Sequence, residues 1–188
     1  MALIRFLKSV RFAIFLVLLI IIFSLLAIGF MTKTASIGLH IWLPGAHAEA
    51  ESDVSPMVSA ILLKAGVLGL IIVMLHMGAQ SFGKFDIYYA LAWIGAITAV
   101  MGNMMAAFQE DAKRLLAYSS IGFLGYTVFG LSLMTHLGWL AAVSLSVIHF
   151  MFKTLLFLAI GGVVWRVKTK EMYKMGGLIK KMPDRKST

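Results

Sequence analysis

The chain has 188 residues, of which 61% are hydrophobic and only 13% are charged. An average soluble domain carries about 25% charged and 45–50% apolar residues. Together with a mean hydropathy of +0.93, this composition excludes a water-soluble globular protein and predicts an all-α integral membrane protein. A span needs roughly 20 apolar residues, so about five spans fit. The sequence has no cysteine, which excludes disulfides, zinc–thiolate sites and cysteine-ligated iron–sulfur clusters.

The first predicted span covers residues 12–43 and follows a basic segment, residues 1–11. A signal peptide is the alternative, but its apolar core would have only about 7–15 residues. A straight helix over 12–43 would be about 48 Å long, which exceeds a hydrocarbon core of roughly 30 Å. We therefore predict a discontinuous helix that breaks at residues 34–38, where Gly38 permits the break, and a segment that ends at Pro44-Gly45.

Four further spans complete a predicted membrane domain over residues 12–166. They cover residues 54–75, 87–108, 115–134 and 138–165, with a polar loop at 46–53, a connector at 109–114 and a basic tail at 167–188. Five spans place the two termini on opposite faces. The net charge of +9 fits cytoplasmic ends better than nucleic-acid binding, since basic residues favour the cytoplasmic side. Four Lys and Arg lie on the N-terminal side and ten on the other, so we predict a cytoplasmic C-terminus in a bacterial or archaeal inner membrane.

Three lysines lie within these apolar segments, namely Lys33, Lys64 and Lys153. Lys64 is near the middle of span 54–75, where a charged lysine costs about 2.5–3.5 kcal/mol on insertion scales. Releasing the proton relieves that cost, so such an amine can exchange protons at physiological pH. The alternative is a lysine that snorkels to an interface, although its stem hardly reaches one from mid-span. Lys33 is a second candidate because it lies at the predicted break; its alternative is a lysine that ends a short span.

His149 and Lys153 are four residues apart in span 138–165 and therefore share one helix face. Two basic groups on one face disfavour each other's protonation, and histidine is the usual proton-shuttle residue. The pair favours a proton relay, although a membrane histidine can also simply hydrogen-bond a neighbouring helix. None of the eight carboxylates lies in a predicted span. Counter-charge must therefore come from water, another conformation or another polypeptide.

The sequence contains no phosphate-binding glycine loop, metal-ligand cluster or nucleophile motif, so we expect no cofactor, metal or catalytic residue. Five motifs nevertheless occur in a recognisable order. They are Lys33-Thr-Ala-Ser-Ile-Gly-Leu-His40-Ile-Trp42-Leu-Pro44-Gly-Ala-His47-Ala-Glu49-Ala, Leu62-Leu63-Lys64-Ala-Gly66, Asp111-Ala-Lys113-Arg114-Leu-Leu-Ala-Tyr118-Ser119-Ser120-Ile, His149-Phe-Met-Phe-Lys153-Thr-Leu-Leu-Phe, and Gly176-Gly177-Leu with Met182-Pro183.

The first motif resembles the signature K-x5-L-H-x-W-L-P-x-A-H-x-E-A of antiporter-like proton-translocating subunits. These are the L, M and N type subunits of NADH–quinone oxidoreductase (complex I), with relatives in multisubunit sodium/proton antiporters (subunits A and D) and membrane hydrogenases. The chain departs from the usual pattern at Gly38, where many members have proline, and at Gly45, where aspartate is usual.

The resemblance implies a module of about fourteen helices that contains two inverted five-helix repeats. This chain would supply the last two helices of one repeat and the first three of the next. By resemblance, Lys33 is the broken-helix lysine, Lys64 is the next lysine on a central hydrophilic axis, and His149 and Lys153 link the half-channels. The acidic partner of Lys33 would lie on an earlier helix.

The leading hypothesis is a proton-translocating subunit, or a fragment of one, in a complex I-like or cation/proton antiporter complex. Its partners would be other membrane subunits and the lipid bilayer, with no nucleic acid and no redox centre of its own; membership of a redox-driven translocase stays open. The alternative is a structural or assembly fragment, or a gene remnant, that transports nothing. A stand-alone channel is a third, weaker hypothesis.

Overall fold

The structure is a computed structural model that describes residues 2–51, 54–77, 81–82 and 85–178. The predicted tail beyond residue 178, together with Lys84 and Asp53, lies outside the described residues. The helices are α1 (Ala2–Lys33), α2 (Trp42–Glu49), α3 (Val54–Met57), α4 (Leu63–Met77), α5 (Ile87–Ala107), α6 (Ala112–Ser132) and α7 (His136–Val167). A π-helical segment (Val58–Leu62) joins α3 to α4, and a 3₁₀ turn (Met172–Lys174) follows α7. Two short antiparallel strands, β1 (Ser81–Phe82) and β2 (Phe85–Asp86), connect α4 to α5.

Among the described residues, five helical stretches are long and apolar enough to cross a membrane, which confirms the predicted fold class. They are Val10–Lys33, Val54–His76, Ile87–Ala107, Ala112–Ser132 and His136–Val167. Their outward faces carry large apolar side chains, such as Phe12 at 63% and Leu155 at 68% exposure. Water would penalise such surfaces at about 25 cal/mol per Å², whereas lipid or neighbouring membrane helices would not.

The predicted discontinuity of the first helix is present. Helix α1 ends at Lys33, and the chain then passes through Ala35 (φ +50°) and Gly38 (φ +84°) before α2 begins. Positive φ favours glycine because it lacks a Cβ atom. The freed backbone groups find partners, since the amide of Ile37 donates to Thr98 Oγ1 at 2.9 Å. Irregular backbone at membrane depth needs such cover from protein.

The end predicted at Pro44-Gly45 is wrong, because α2 runs through both residues to Glu49. Pro44 is the third residue of α2, and the first four N–H groups of a helix have no intrahelical partner. The missing N–H of proline therefore costs little there. The connector predicted at 109–114 is also shorter than expected, because Asp111 accepts from the amide of Lys113 and starts α6 at Ala112.

Helix α6 lies between α5 and α7 and positions the buried groups described below. Glycines let α5 and α6 approach closely: a Cβ atom at Gly102 would lie 2.5 Å from the backbone nitrogen of Gly122. Small residues at such crossings are typical of membrane helix pairs. On α7, His149, Lys153 and Phe157 follow one another at four-residue spacing and are each 1% exposed. Their shared face therefore points into the helix bundle.

Candidate functional site: a buried lysine–histidine cluster

The centre of the site is a contact between two membrane-spanning helices. Lys64 Nζ on α4 lies 2.6 Å from His149 Nδ1 on α7, although the two residues are 85 positions apart in sequence. His149 is 1% exposed and Lys64 is half-buried. The structure thus brings together two of the predicted site residues, and it pairs an amine with an imidazole rather than with a carboxylate.

The second ring nitrogen of His149 faces a different environment. His149 Nε2 is buried and has no hydrogen-bond partner among the residues that the structure describes. The ring packs against Phe123 and Phe152, with centroid distances of 5.5 and 5.6 Å. An imidazole can take a proton at one nitrogen and release another from the opposite nitrogen. His149 therefore has the chemistry to pass a proton across its ring.

Lys153 lies one turn further along α7 on the same buried face. Its ammonium donates to the backbone oxygen of Leu116 at 2.9 Å and makes a short hydrogen bond to Ser119 Oγ, both on α6. The side chain is 1% exposed. A buried ammonium that is held by a carbonyl and a hydroxyl carries no counter-charge, so any proton on it adds a net positive charge to the bundle.

The environment of Lys64 is asymmetric. One side contacts His149, and the other borders a cleft of about 290 Å³ between α4 and α7. The cleft is lined by apolar side chains such as Val67 and Phe150, and by Ser146. The hydroxyl of Ser146 is buried and has no partner within the described part of the chain. Lys64 therefore lines the cleft, whereas His149 and Lys153 are enclosed.

Lys33 does not join this cluster. It is the last residue of α1, and it is exposed beside an apolar recess formed by Leu26, Gly29 and Phe30. Its stem lies against α4, because a Cβ atom at Gly66 would be 2.9 Å from Lys33 Cβ. The side chain of Lys33 makes no hydrogen bond or ion pair within the described ranges. The structure thus brings three of the four predicted proton-carrying residues together and leaves the fourth outside.

Two features of the site were missed from the sequence. His47 was noted only as part of a motif, yet it is fully buried, and its ring stacks on Phe157 at 4.5 Å. Burial lowers the pKa of His47, and the charges of Lys153 and Lys113 lower it further. The second feature is the π-helical segment (Val58–Leu62) just before Lys64. Such segments are frequent at functional sites, but apolar periodicity does not predict them.

Comparisons with known proteins agree with this architecture. The family model described as NADH:quinone oxidoreductase/Mrp antiporter, TM, matches residues 3–187. The chain is similar to NADH-quinone oxidoreductase subunit M of Rickettsia prowazekii (strain Madrid E), with 35% identity over 83% of this chain and 31% of that protein. It is also similar to hydrogenase-4 component B of Escherichia coli (strain K12), with 37% identity over 86% of this chain and 26% of that protein.

A solved structure shares the fold. It is a chain of the membrane-bound sulfane sulfur reductase, an archaeal respiratory membrane complex, with a TM-score of 0.78 and 30% identity over 86% of this chain and 33% of that chain. The present chain spans about a quarter to a third of the length of the curated relatives it matches. The match over nearly every residue, together with the broken first helix and the shared fold, shows that the chain belongs to the NADH:quinone oxidoreductase/Mrp antiporter transmembrane family.

Proposed function

We propose that this chain forms part of a proton-translocating membrane subunit, in which Lys64, His149 and Lys153 hand protons through the bundle. The observation that carries the proposal is the 2.6 Å contact between Lys64 Nζ and His149 Nδ1. The two groups come from different helices and both bind protons reversibly. A contact of this length lets one proton move between them without a large rearrangement.

The direction of transfer follows from exposure. Lys64 borders the cleft between α4 and α7 and takes up a proton there. His149 receives it at Nδ1 and releases one from Nε2. The enclosed ammonium of Lys153, held by Leu116 and Ser119, is the next basic group on the same face. Water would bridge the steps that are longer than a hydrogen bond.

In this proposal Lys33 is a separate proton-carrying residue outside the cluster. It is exposed at the end of α1, and a lone cation beside apolar side chains is costly in a membrane. A carboxylate on a neighbouring membrane helix would relieve that cost, as the family resemblance implies. We therefore propose that other membrane segments or subunits cover this face, in a complex that is driven by redox chemistry or by a cation gradient.

The arrangement of charges also supports an orientation. Lys113 and Arg114, at the start of α6, lie on the same side of the bundle as the segment that follows α7. This side carries the larger share of basic residues, which favours the cytoplasm. We propose that it faces the cytoplasm of a bacterium or archaeon and that the start of α5 faces the opposite side.

The test is Lys64→Ala in the full-length protein, assembled with its partner subunits in membrane vesicles. Proton uptake is followed by quenching of an acridine dye after energisation with a respiratory substrate or a sodium gradient. Loss of a proton-transfer group should lower the rate by at least about tenfold. Lys174→Ala is the matched control, because Lys174 lies outside the bundle and pairs with Glu171.

Equal membrane levels of both variants, measured on a native gel, separate transport from insertion. Unchanged uptake in Lys64→Ala would reject the proposed role and favour a structural or assembly subunit. Proton uptake by the purified chain alone in lipid vesicles would instead favour a stand-alone channel.

A further inference from the structure

Two lysines hold the carboxyl end of the short helix α2. Lys113 Nζ donates to the backbone oxygen of Ala50 at 2.9 Å, and Lys170 Nζ donates to that of Ala48 at 3.2 Å. The last four carbonyls of a helix have no intrahelical partner, and cations there also interact favourably with the helix dipole. Lys113 is only 6% exposed, so its amine contacts the carbonyl of Ala50 rather than solvent.

The two lysines come from different parts of the chain. Lys113 is in the first turn of α6, whereas Lys170 belongs to the segment after α7, residues 168–174, which we call the strap. The strap is fixed to the start of α6 by two backbone hydrogen bonds: Ala112 N donates to Lys170 O at 3.0 Å, and Met172 N donates to Glu110 O at 2.9 Å. The carboxylate of Asp111 adds an ion pair with Lys170 at 3.6 Å.

Helix α2 carries His47 to the far end of the lysine–histidine cluster. The imidazole stacks on Phe157 with an interplanar angle of 19°, and Phe157 is one turn beyond Lys153 on α7. Both ring nitrogens of His47 are buried and unpartnered within the part of the chain that the structure describes. A buried polar group without a partner is costly, so the placement of α2 must be maintained by contacts elsewhere.

We propose that Lys113 and Lys170 are positioning residues that clamp the carboxyl end of α2 and thereby keep His47 at the Lys153 end of the cluster. This inference rests on the proposed function, because His47 matters to transport only if protons pass through Lys153. The clamp joins three elements, namely α2, the start of α6 and the strap. Loosening the strap would therefore move α2 without altering any group of the cluster itself.

The test uses the natural absence of cysteine in the chain. Ala48 is 6% exposed, so Ala48→Cys introduces a single buried thiol on α2. Its reaction rate with a membrane-permeant maleimide is measured on the peptide that contains residue 48, with the protein in its membrane complex, alongside proton uptake. The thiol reports the position of α2 independently of transport.

Combining Ala48→Cys with Lys113→Ala and Lys170→Ala should speed labelling by at least about tenfold, since each lost bond has a charged donor. Proton uptake should fall as well, and Lys170→Arg, which keeps a cationic donor, should retain slow labelling and uptake. Lys174→Ala is the matched control, because that lysine lies in the strap but pairs with Glu171. Should the buried Lys113 be needed for insertion, Lys170→Ala alone carries the test, since its side chain is 42% exposed.

Labelling as slow as in the Lys174→Ala control would overturn the clamp. Fast labelling with normal uptake would overturn the positioning role of the clamp while leaving the proposed function intact. The proposed function fails on a different result, namely normal uptake in Lys64→Ala, so the two failures are distinguishable.

Discussion

Replacing Lys153 by methionine separates a transport role from a structural one. Methionine has nearly the volume and flexibility of the lysine stem, so the 1% exposed site stays filled. The change removes the ammonium and its two hydrogen bonds, to Leu116 O and Ser119 Oγ. Neither acceptor is orphaned, because Ser119 Oγ donates to Leu116 O at 3.0 Å in any case.

The expected loss of stability is limited, because removing the charge offsets part of the lost hydrogen bonding. Hydrogen bonds from a charged donor contribute about 1.5–3 kcal/mol each, so about 3–6 kcal/mol is lost. Removing a charged amine from the membrane interior recovers about 2.5–3.5 kcal/mol. The net loss is therefore at most about 3.5 kcal/mol, which corresponds to a fall in Tm of no more than about 14 °C for a chain of this size.

Proton transport should be affected much more strongly than stability, with uptake reduced by at least about tenfold. Both quantities are measured on one preparation: dye quenching in vesicles and thermal unfolding in detergent. Ser119→Ala is the control, because it removes one acceptor and leaves the amine in place, and it should keep most of the uptake. Full transport by Lys153→Met, or loss of transport only together with a much larger fall in Tm, would refute the reasoning.

Two further predictions concern packing and pH. Gly162→Ala, at an open position on α7, should stabilise the protein by up to about 1 kcal/mol through helix propensity. Gly102→Ala should be less stable than the Gly162→Ala variant by about 1–3 kcal/mol because of overpacking. Equal stability of the two variants in detergent unfolding would contradict the close α5–α6 contact. Burial lowers the pKa of His47 from 6.5 to about 4, so the unfolded chain binds more protons in this window and stability falls as the pH is lowered through it. The folded protein should lose about 2 kcal/mol of stability between pH 7 and pH 5 through this group. His47→Leu should abolish that loss, which would be seen as a flatter dependence of Tm on pH.

The fold was predictable because each membrane-spanning helix is specified by its own stretch of sequence. A run of about 20 apolar residues marks a span wherever it occurs, and the excessive length of segment 12–43 predicted its break. The helix through Pro44-Gly45 was not predictable from the same rules. Proline and glycine predict an end, whereas the first turn of a helix tolerates proline, and which outcome applies depends on tertiary contacts.

The candidate site was predictable only as a set of separate residues. Charge within apolar runs identified Lys64 and Lys153, and four-residue spacing placed His149 beside Lys153. The contact between Lys64 and His149 depends on how α4 and α7 are rotated against each other, which helical periodicity within one segment does not encode. For Lys33, the sequence correctly predicted its position at the helix break. Its exposure was not predictable, because it depends on how the helices pack. Its role in proton transfer stays a prediction.

The lack of carboxylates in the spans gives the cluster its character. All eight Asp and Glu lie outside the predicted spans, so a proton bound by the cluster adds a positive charge that no carboxylate of these spans neutralises. A carboxylate partner would hold a proton on the amine as a buried ion pair, and breaking such a pair costs about 3–5 kcal/mol. Imidazole and carbonyl groups accept hydrogen bonds from the amine but carry no negative charge that would keep the amine protonated. A second proton on the same face would meet the repulsion of the first, so under the proposed function the cluster would pass protons on one at a time rather than store them.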